Sequence, residues 1–347
     1  MDHTPLTRRD SFGIFLTPGF SIYAFTMVIE VLRVANKYLE APVYHWQVLT
    51  LDGMPVLASN GMSVSPHASI HDVDGLGTLF VIASYNYEDS YSKALFGWMR
   101  QRARLGTRIG GTDTGPFLLA KAGLLDGHPT TVHWEGLEAF REDFPHLTVT
   151  DDLFTLSEGR FTCAGGAANL DLMLNLIALE QGPHLAERVA QGFIHDTIRS
   201  PSDDQRQASD HKWRDNNTTL ALILDCMEDN VEAPLSLREL ARQTNMTKRT
   251  IERTFEKTIG TPPMRHYLTI RLNKARNLVL YSQRALVEIS LICGFSSPAV
   301  FSRAFKTQFG HAPRDYRTLF ARQGLGTVRS DNPLPVLSIR SDGLNTQ

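Results

Sequence analysis

The feature that most restricts this chain is a segment that occurs twice. Leu237–Pro263 and Leu286–Pro313 resemble each other, with Arg253 matching Arg303, Phe255 matching Phe305, Gly260 matching Gly310 and Pro263 matching Pro313, each 50 residues apart. Each copy begins with a short helix of apolar periodicity and then turns, at Thr244-Asn245-Met246 and at Cys293-Gly294-Phe295. A second helix follows, entered through Thr247 or Ser296, whose hydroxyls stand where a helix N-cap belongs. Gly260 and Gly310 stand where those second helices end. A short helix, a tight turn and a second helix is the shape that lays its second helix in a DNA major groove. Two such units in one chain can enter successive grooves roughly 34 Å apart. The apolar-periodic stretch between them, Tyr267–Leu280, is placed to set that separation.

Charge is divided in the same way. The formal net charge is only −2, yet residues 216–322 carry 16 Lys and Arg against 9 Asp and Glu, while residues 1–215 carry 17 against 26. A basic module beside an acidic one is expected where only one of them meets a polyanion.

Before the repeat the pattern changes. Ser11–Leu16, His45–Leu51 and Thr78–Ala83 are strand-like, and Ile22–Tyr38 has helical periodicity. Arg108–Gly111 leads through Thr112-Asp113-Thr114-Gly115 into a helix, and Arg160–Cys163 leads through Gly165-Gly166 into another. This alternation predicts a mostly parallel, flavodoxin-like sheet in an α/β sandwich, with ligand sites at the carboxyl ends of its strands. The chain thus divides into an α/β domain over 10–195, a polar linker over 196–215, an all-α domain with two helix-turn-helix units over 216–325, and a disordered tail over 326–347. Three widely spaced cysteines and the absence of a signal-like or membrane-spanning run fit a cytoplasmic, nucleoid-associated protein without a membrane partner. No tight His or Cys spacing points to a metal, and no cofactor motif stands out.

The C-terminal hundred residues resemble the AraC/XylS family of regulators. Gly294, Phe295, Ser297, Phe301–Lys306, Phe309, Gly310, Pro313, Tyr316 and Arg317 match its GFxSxxxFSRAFKxxFGxxPxxYR signature. The resemblance implies binding to double-stranded promoter DNA, contact with RNA polymerase and activation of transcription. It places Thr247, Lys248, Arg249, Glu252 and Arg253 at the reading positions of the first unit, and Ser297, Ala299, Val300 and Arg303 at those of the second. Ala299 and Val300 offer only apolar contact, such as to a thymine methyl, so the second unit leans on Arg303 and on DNA shape.

The first 190 residues resemble the PfpI-like branch of the class I glutamine amidotransferase-like superfamily, through FLTPGFSIYAFTMVIEVLRVAN, GGTDTGPFLLAKAGLLDG, TVHWE and FTCAGGAANLDLMLNLIA. The strand–turn–helix around Asp113 has the form of a nucleophile elbow. Catalytic members carry cysteine there, helped by a histidine and by the glutamate that the resemblance equates with Glu30. Here Asp113 occupies the apex while His133 and Glu30 remain, and a carboxylate does not replace a thiolate nucleophile. An active hydrolase or amidohydrolase tethered to DNA is the alternative reading, and the missing cysteine argues against it.

Fusion of the two domains is the arrangement of GlxA-type regulators. It implies a homodimer whose degenerate enzyme pocket binds a small metabolite. Glu30, Tyr85, Asn86, Asp113, Thr114, His133 and Trp134 are the expected ligand residues, with Tyr87 beside them. Two carboxylates among aromatic rings favour a cation, and regulators of this kind respond to arginine or to quaternary amines such as glycine betaine and carnitine.

Overall fold

The structure, a computed structural model, describes residues 11–205 and 217–323. The N-terminal domain runs β1 (Ser11–Leu16), α1 (Ile22–Tyr38), β2 (His45–Thr50), β3 (Val56–Leu57), β4 (Ser63–Val64), β5 (Ala68–Ser69), β6 (Thr78–Ala83), α2 (Lys93–Arg104) and β7 (Arg108–Asp113). It continues with α3 (Gly115–Lys121), α4 (Leu137–Asp143), β8 (Phe154–Ser157), β9 (Arg160–Cys163), α5 (Ala168–Gln181) and α6 (Pro183–Gly192). Seven strands form one sheet in the order β5-β2-β1-β6-β7-β9-β8, parallel throughout except for the β8–β9 hairpin.

Alternation along the strands builds two cores. Phe12, Ile14 and Leu16 of β1, with Phe80 and Ile82 of β6, pack in the cluster that holds α1, α5 and α6. Phe15 of β1, with Leu79, Val81 and Ala83 of β6, joins the opposite cluster with α2, α3 and α4. Burial on both faces is why these strands are almost continuously apolar.

The second domain is helical: α7 (Thr218–Asp229), α8 (Leu237–Gln243), α9 (Lys248–Thr258), α10 (Pro263–Tyr281), α11 (Leu286–Ile292), α12 (Pro298–Phe309) and α13 (Pro313–Gln323). The duplicated segments are α8–α9 and α11–α12. Thr247 caps α9 by accepting from the Thr250 amide at 3.1 Å. In the second copy the expected cap, Ser296, is displaced by one residue: Ser297 accepts from the Val300 amide at 3.3 Å. Pro298 explains this, because it occupies the first helical position and forces the residue before it into the extended conformation a cap needs.

The turns inside the two units both require positive φ, at Asn245 (54°) and Gly294 (68°). At Gly294 a side chain is impossible, since a Cβ there would lie 2.4 Å from the Val231 carbonyl oxygen.

The first ten residues of the expected linker make contacts with the N-terminal domain. Residues 196–205 belong to the N-terminal domain: the Leu153 amide donates to the Pro201 carbonyl at 2.9 Å, and Arg199 pairs with the fully buried Asp171 at 2.6 Å. Gln205 donates to Thr131 Oγ1 at 2.8 Å and to the Val132 carbonyl at 3.0 Å. The polar residues of this stretch satisfy buried partners instead of water. The rest of the expected linker, residues 206–215, and the expected tail lie outside the described residues.

Candidate functional site

The carboxyl ends of β6, β7 and β9 meet at the elbow. Asp113 closes β7 with φ of 60°, in the left-handed region that costs most non-glycine residues about 1–3 kcal/mol. The turn is tight enough that a Cβ on Gly115 would stand 2.3 Å from the Val81 carbonyl oxygen. Thr114 is buried and donates to the Ser84 carbonyl at 2.6 Å, so it ties the elbow to β6 and does not face a ligand. Gly165, with φ of 93°, lies against Asp113, where a Cβ would come within 3.1 Å of the Asp113 Cβ.

Asp113 has lost most of its solvation. Burial pushes its carboxyl up to about 6, against the opposing pull of His133 and a hydrogen bond from Ser84, with Glu135 pushing upward. The His133 amide donates to the Asp113 carbonyl at 3.2 Å, which holds the imidazole beside the elbow. Glu135 Oε2 lies 3.8 Å from His133 Nδ1. Tyr85 is half-buried, its hydroxyl pushed up first by burial and then by Asp113 and Glu135. Asn86, with φ of 55°, shapes the turn that follows Tyr85.

Glu30 is engaged within its own helix. Its carboxylate takes Arg33, one turn along α1, at 2.6 Å, and that hydrogen bond lowers its pKa.

Beside the elbow a cavity of about 190 Å³ is lined by His133, Trp134, Gly165, Gly166, Arg199 and Gln205, among others. The Trp134 and His133 rings are 5.6 Å apart. Cys163 is not a hidden nucleophile, because it is fully buried and its thiol is pushed up to about 12 by burial.

The C-terminal domain closes over the elbow. Arg276 of α10 reaches Glu135 Oε1 at 3.1 Å, and the Tyr281 hydroxyl donates to Glu135 Oε2 at 2.8 Å. Further along α4, Lys274 pairs with Glu138 and Arg284 pairs with Glu142 at 2.8 Å. Tyr87, buried, donates its hydroxyl to the Tyr281 carbonyl at 2.9 Å, so it joins the domains and does not line a pocket. Sequence reasoning missed Glu135, although it ends the TVHWE motif, and it missed Arg276 and Tyr281 because nothing linear connects them to the elbow.

In the C-terminal domain the expected reading positions are solvent-facing. Thr247, Lys248, Arg249, Glu252 and Arg253 are exposed, as are Ala299, Val300 and Arg303, while Ile251, Phe255, Phe301 and Phe305 are buried beneath them. Ser297 is half-buried and engaged as the cap.

An α/β elbow domain docked on a paired helix-turn-helix domain defines a class: transcription regulators that read DNA with their C-terminal half. Residues 240–318 match the family described as "Helix-turn-helix domain". The HTH-type transcriptional regulator CdhR of Pseudomonas aeruginosa is 41% identical over 308 residues, covering 89% of this chain and 91% of that protein. The HTH-type transcriptional regulator GlxA of Rhizobium meliloti is 36% identical, over 88% of this chain and 94% of that protein. The structure of a ThiJ/PfpI family protein from Pseudomonas syringae covers 65% of this chain and 90% of its own, with a TM-score of 0.50 at 19% identity, a likeness of fold. The chain belongs to the GlxA-type family of HTH transcriptional regulators, with an AraC-type DNA-binding domain.

Proposed function

We propose that the protein is a cytoplasmic, dimeric activator whose elbow cluster binds a small cationic or zwitterionic metabolite and passes its presence to promoter DNA and RNA polymerase. The observation that carries this reading is His133, which lines the 190 Å³ cavity and also belongs to the carboxylate cluster of Asp113 and Glu135 at the elbow. The two carboxylates and the rings of Tyr85 and Trp134 suit an ammonium or guanidinium group. The cavity lining also includes Arg199, which pairs with Asp171, and the start of α5, and these suit a carboxylate. Arginine, glycine betaine and carnitine all combine such ends. The reading positions on α9 and α12 supply the contacts to base edges and phosphates.

A thermal-shift panel of these three compounds tests the reading. At least one raises the melting temperature of the full chain, and Asp113→Ala abolishes that shift while leaving effector-free DNA binding intact. Turnover of an amide or ester substrate that is lost in Asp113→Asn would establish the hydrolase reading instead.

The pH dependence has a definite sign. Asp113's folded pKa of about 6 lies above the unfolded value of about 3.9, so the folded state favours the proton. Its stability contribution is full below the unfolded value and is lost as pH rises through about 6. A cation needs the ionised form. Effector affinity therefore falls up to about tenfold per pH unit below about pH 6, and Asp113→Asn flattens that profile. A wild-type profile flat between pH 5 and 7, measured by calorimetry, would remove Asp113 from the site.

A further inference from the structure

We propose that Glu135 is contested between the effector and the DNA-binding domain: Arg276 and Tyr281 hold it while the pocket is empty, and the effector's cationic group takes it from Arg276. This rests on the effector reading above and adds the route by which occupancy reaches the DNA-binding half.

Three observations lead there. Glu135 belongs electrostatically to the elbow, since it lies 3.8 Å from His133 Nδ1 and acts on the Asp113 carboxyl. Both of its oxygens are nevertheless engaged by the other domain, Oε1 by Arg276 at 3.1 Å and Oε2 by Tyr281 at 2.8 Å. Tyr281 also feels Asp113 and Tyr85, so the DNA-binding domain forms part of the wall around the elbow. Arg276 is thus a tethered cation on Glu135, the carboxylate that the elbow shares with the other domain. A second cation arriving at Asp113 repels Arg276 and competes for Glu135, whose two oxygens cannot serve both at full strength.

Displacement has consequences beyond one ion pair. Lys274, Arg276 and Arg284 are neutralised by Glu138, Glu135 and Glu142 along the α4 side of the interface. Undocking returns those three cations to the field that attracts phosphate. It also frees the second helix-turn-helix unit, whose core is continuous with that of the N-terminal domain, to adjust to the spacing of two grooves. The docked arrangement is therefore the weaker DNA binder. A ligand shifts such an equilibrium only through its different affinity for the two arrangements, and competition for Glu135 supplies that difference.

The test uses the full chain, two variants on opposite sides of the contact, and arginine, glycine betaine and carnitine as probes. Glu135→Gln touches no part of the DNA-binding domain's own sequence. It should raise effector-free operator affinity at least about fivefold, the low end of usual allosteric couplings, and increase amide exchange over residues 267–284. Arg276→Gln should do the same and should tighten effector binding, whereas Glu135→Gln should weaken it. The double variant should go no further than either single one, because both break one contact. Operator affinity and exchange unchanged in both variants would overturn the proposal whether or not any probe binds. If a probe shifts operator affinity equally in wild type and both variants, the clamp is wrong and the effector reading stands. If no probe stabilises the wild type, the effector reading fails, while the effector-free measurements still decide the clamp.

Discussion

The two helix-turn-helix units share an ancestry of pattern but not a mode of support. The first has a core of its own, in which Leu220, Ile223, Leu240, Ile251, Phe255 and Tyr267 pack together without residues of the N-terminal domain. The second has no separate core: Phe295, Phe301, Phe305 and Tyr316 belong to the cluster that holds Tyr87, Phe117, Phe140 and Phe144 of the N-terminal domain. Their surfaces differ in the opposite sense. The self-contained unit presents Lys248, Arg249, Glu252 and Arg253, whereas the dependent unit presents Ala299, Val300 and Arg303. The exposed polar side chains at the proposed reading positions are concentrated on the autonomous unit, and the unit with fewer of them is the one whose core is shared with the N-terminal domain. Under the proposed two-groove grip, the second unit is the economical place to apply control, because a small change there decides whether the second groove is held.

The largest test of this contrast is a pair of core truncations. Phe255→Ala and Phe305→Ala remove equivalent, fully buried rings and should each cost about 3–5 kcal/mol. Their footprints should differ. Phe255→Ala should raise hydrogen exchange within α7–α9 and leave the N-terminal domain as it was, while Phe305→Ala should also loosen residues 85–91 and 134–144. Identical footprints confined to the C-terminal domain would mean that the shared core is contact without coupling.

Next in size are the arginines. Arg253→Ala and Arg303→Ala should each weaken specific operator binding by about 1–3 kcal/mol. Arg303 is the one cationic reader assigned to its unit, so its loss should erase sequence preference across one half-site, while Arg253→Ala leaves Lys248 and Arg249 to hold the other. Binding measured at fixed salt against operators mutated in each half-site separates the two outcomes. Equal loss of discrimination at both half-sites would break the assignment of one unit to one groove.

Much of this division was legible in the sequence, and what was not has a physical reason. Burial on both sheet faces writes itself as apolar runs, and a duplicated unit writes itself as matching Phe, Gly and Pro positions, so both folds could be read. The elbow could be read because Gly111 and Gly115 flank Asp113 where a strand turns sharply into a helix, a pattern the family resemblance reinforces. Glu30 could not be placed, because a helical glutamate looks the same whether it faces a pocket or, as here, pairs with Arg33. Residues 196–205 looked like linker because polarity does not distinguish groups that meet water from groups that meet Asp171 or a buried carbonyl. Glu135, Arg276 and Tyr281 form a site only through docking of two domains, and no local period records that.

The smallest effect probes how each reading helix is started. Thr247→Ala removes the acceptor for the Thr250 amide and should cost about 1 kcal/mol. Ser297→Ala removes the equivalent acceptor for the Val300 amide, yet Pro298 already fixes the first helical φ and lacks one of the amides that needs a partner. The second helix also starts on a unit braced from behind: Arg271 donates to the Cys293 and Gly294 carbonyls at 2.8 and 2.6 Å and lies over the Phe295 ring. Ser297→Ala should therefore cost less than Thr247→Ala, by a few tenths of a kcal/mol or about that. Urea midpoints of the two variants decide it. A larger loss at Ser297 would show that the second unit gains little local support from its proline and its bracing, and that its start depends on the cap as fully as the first unit's does.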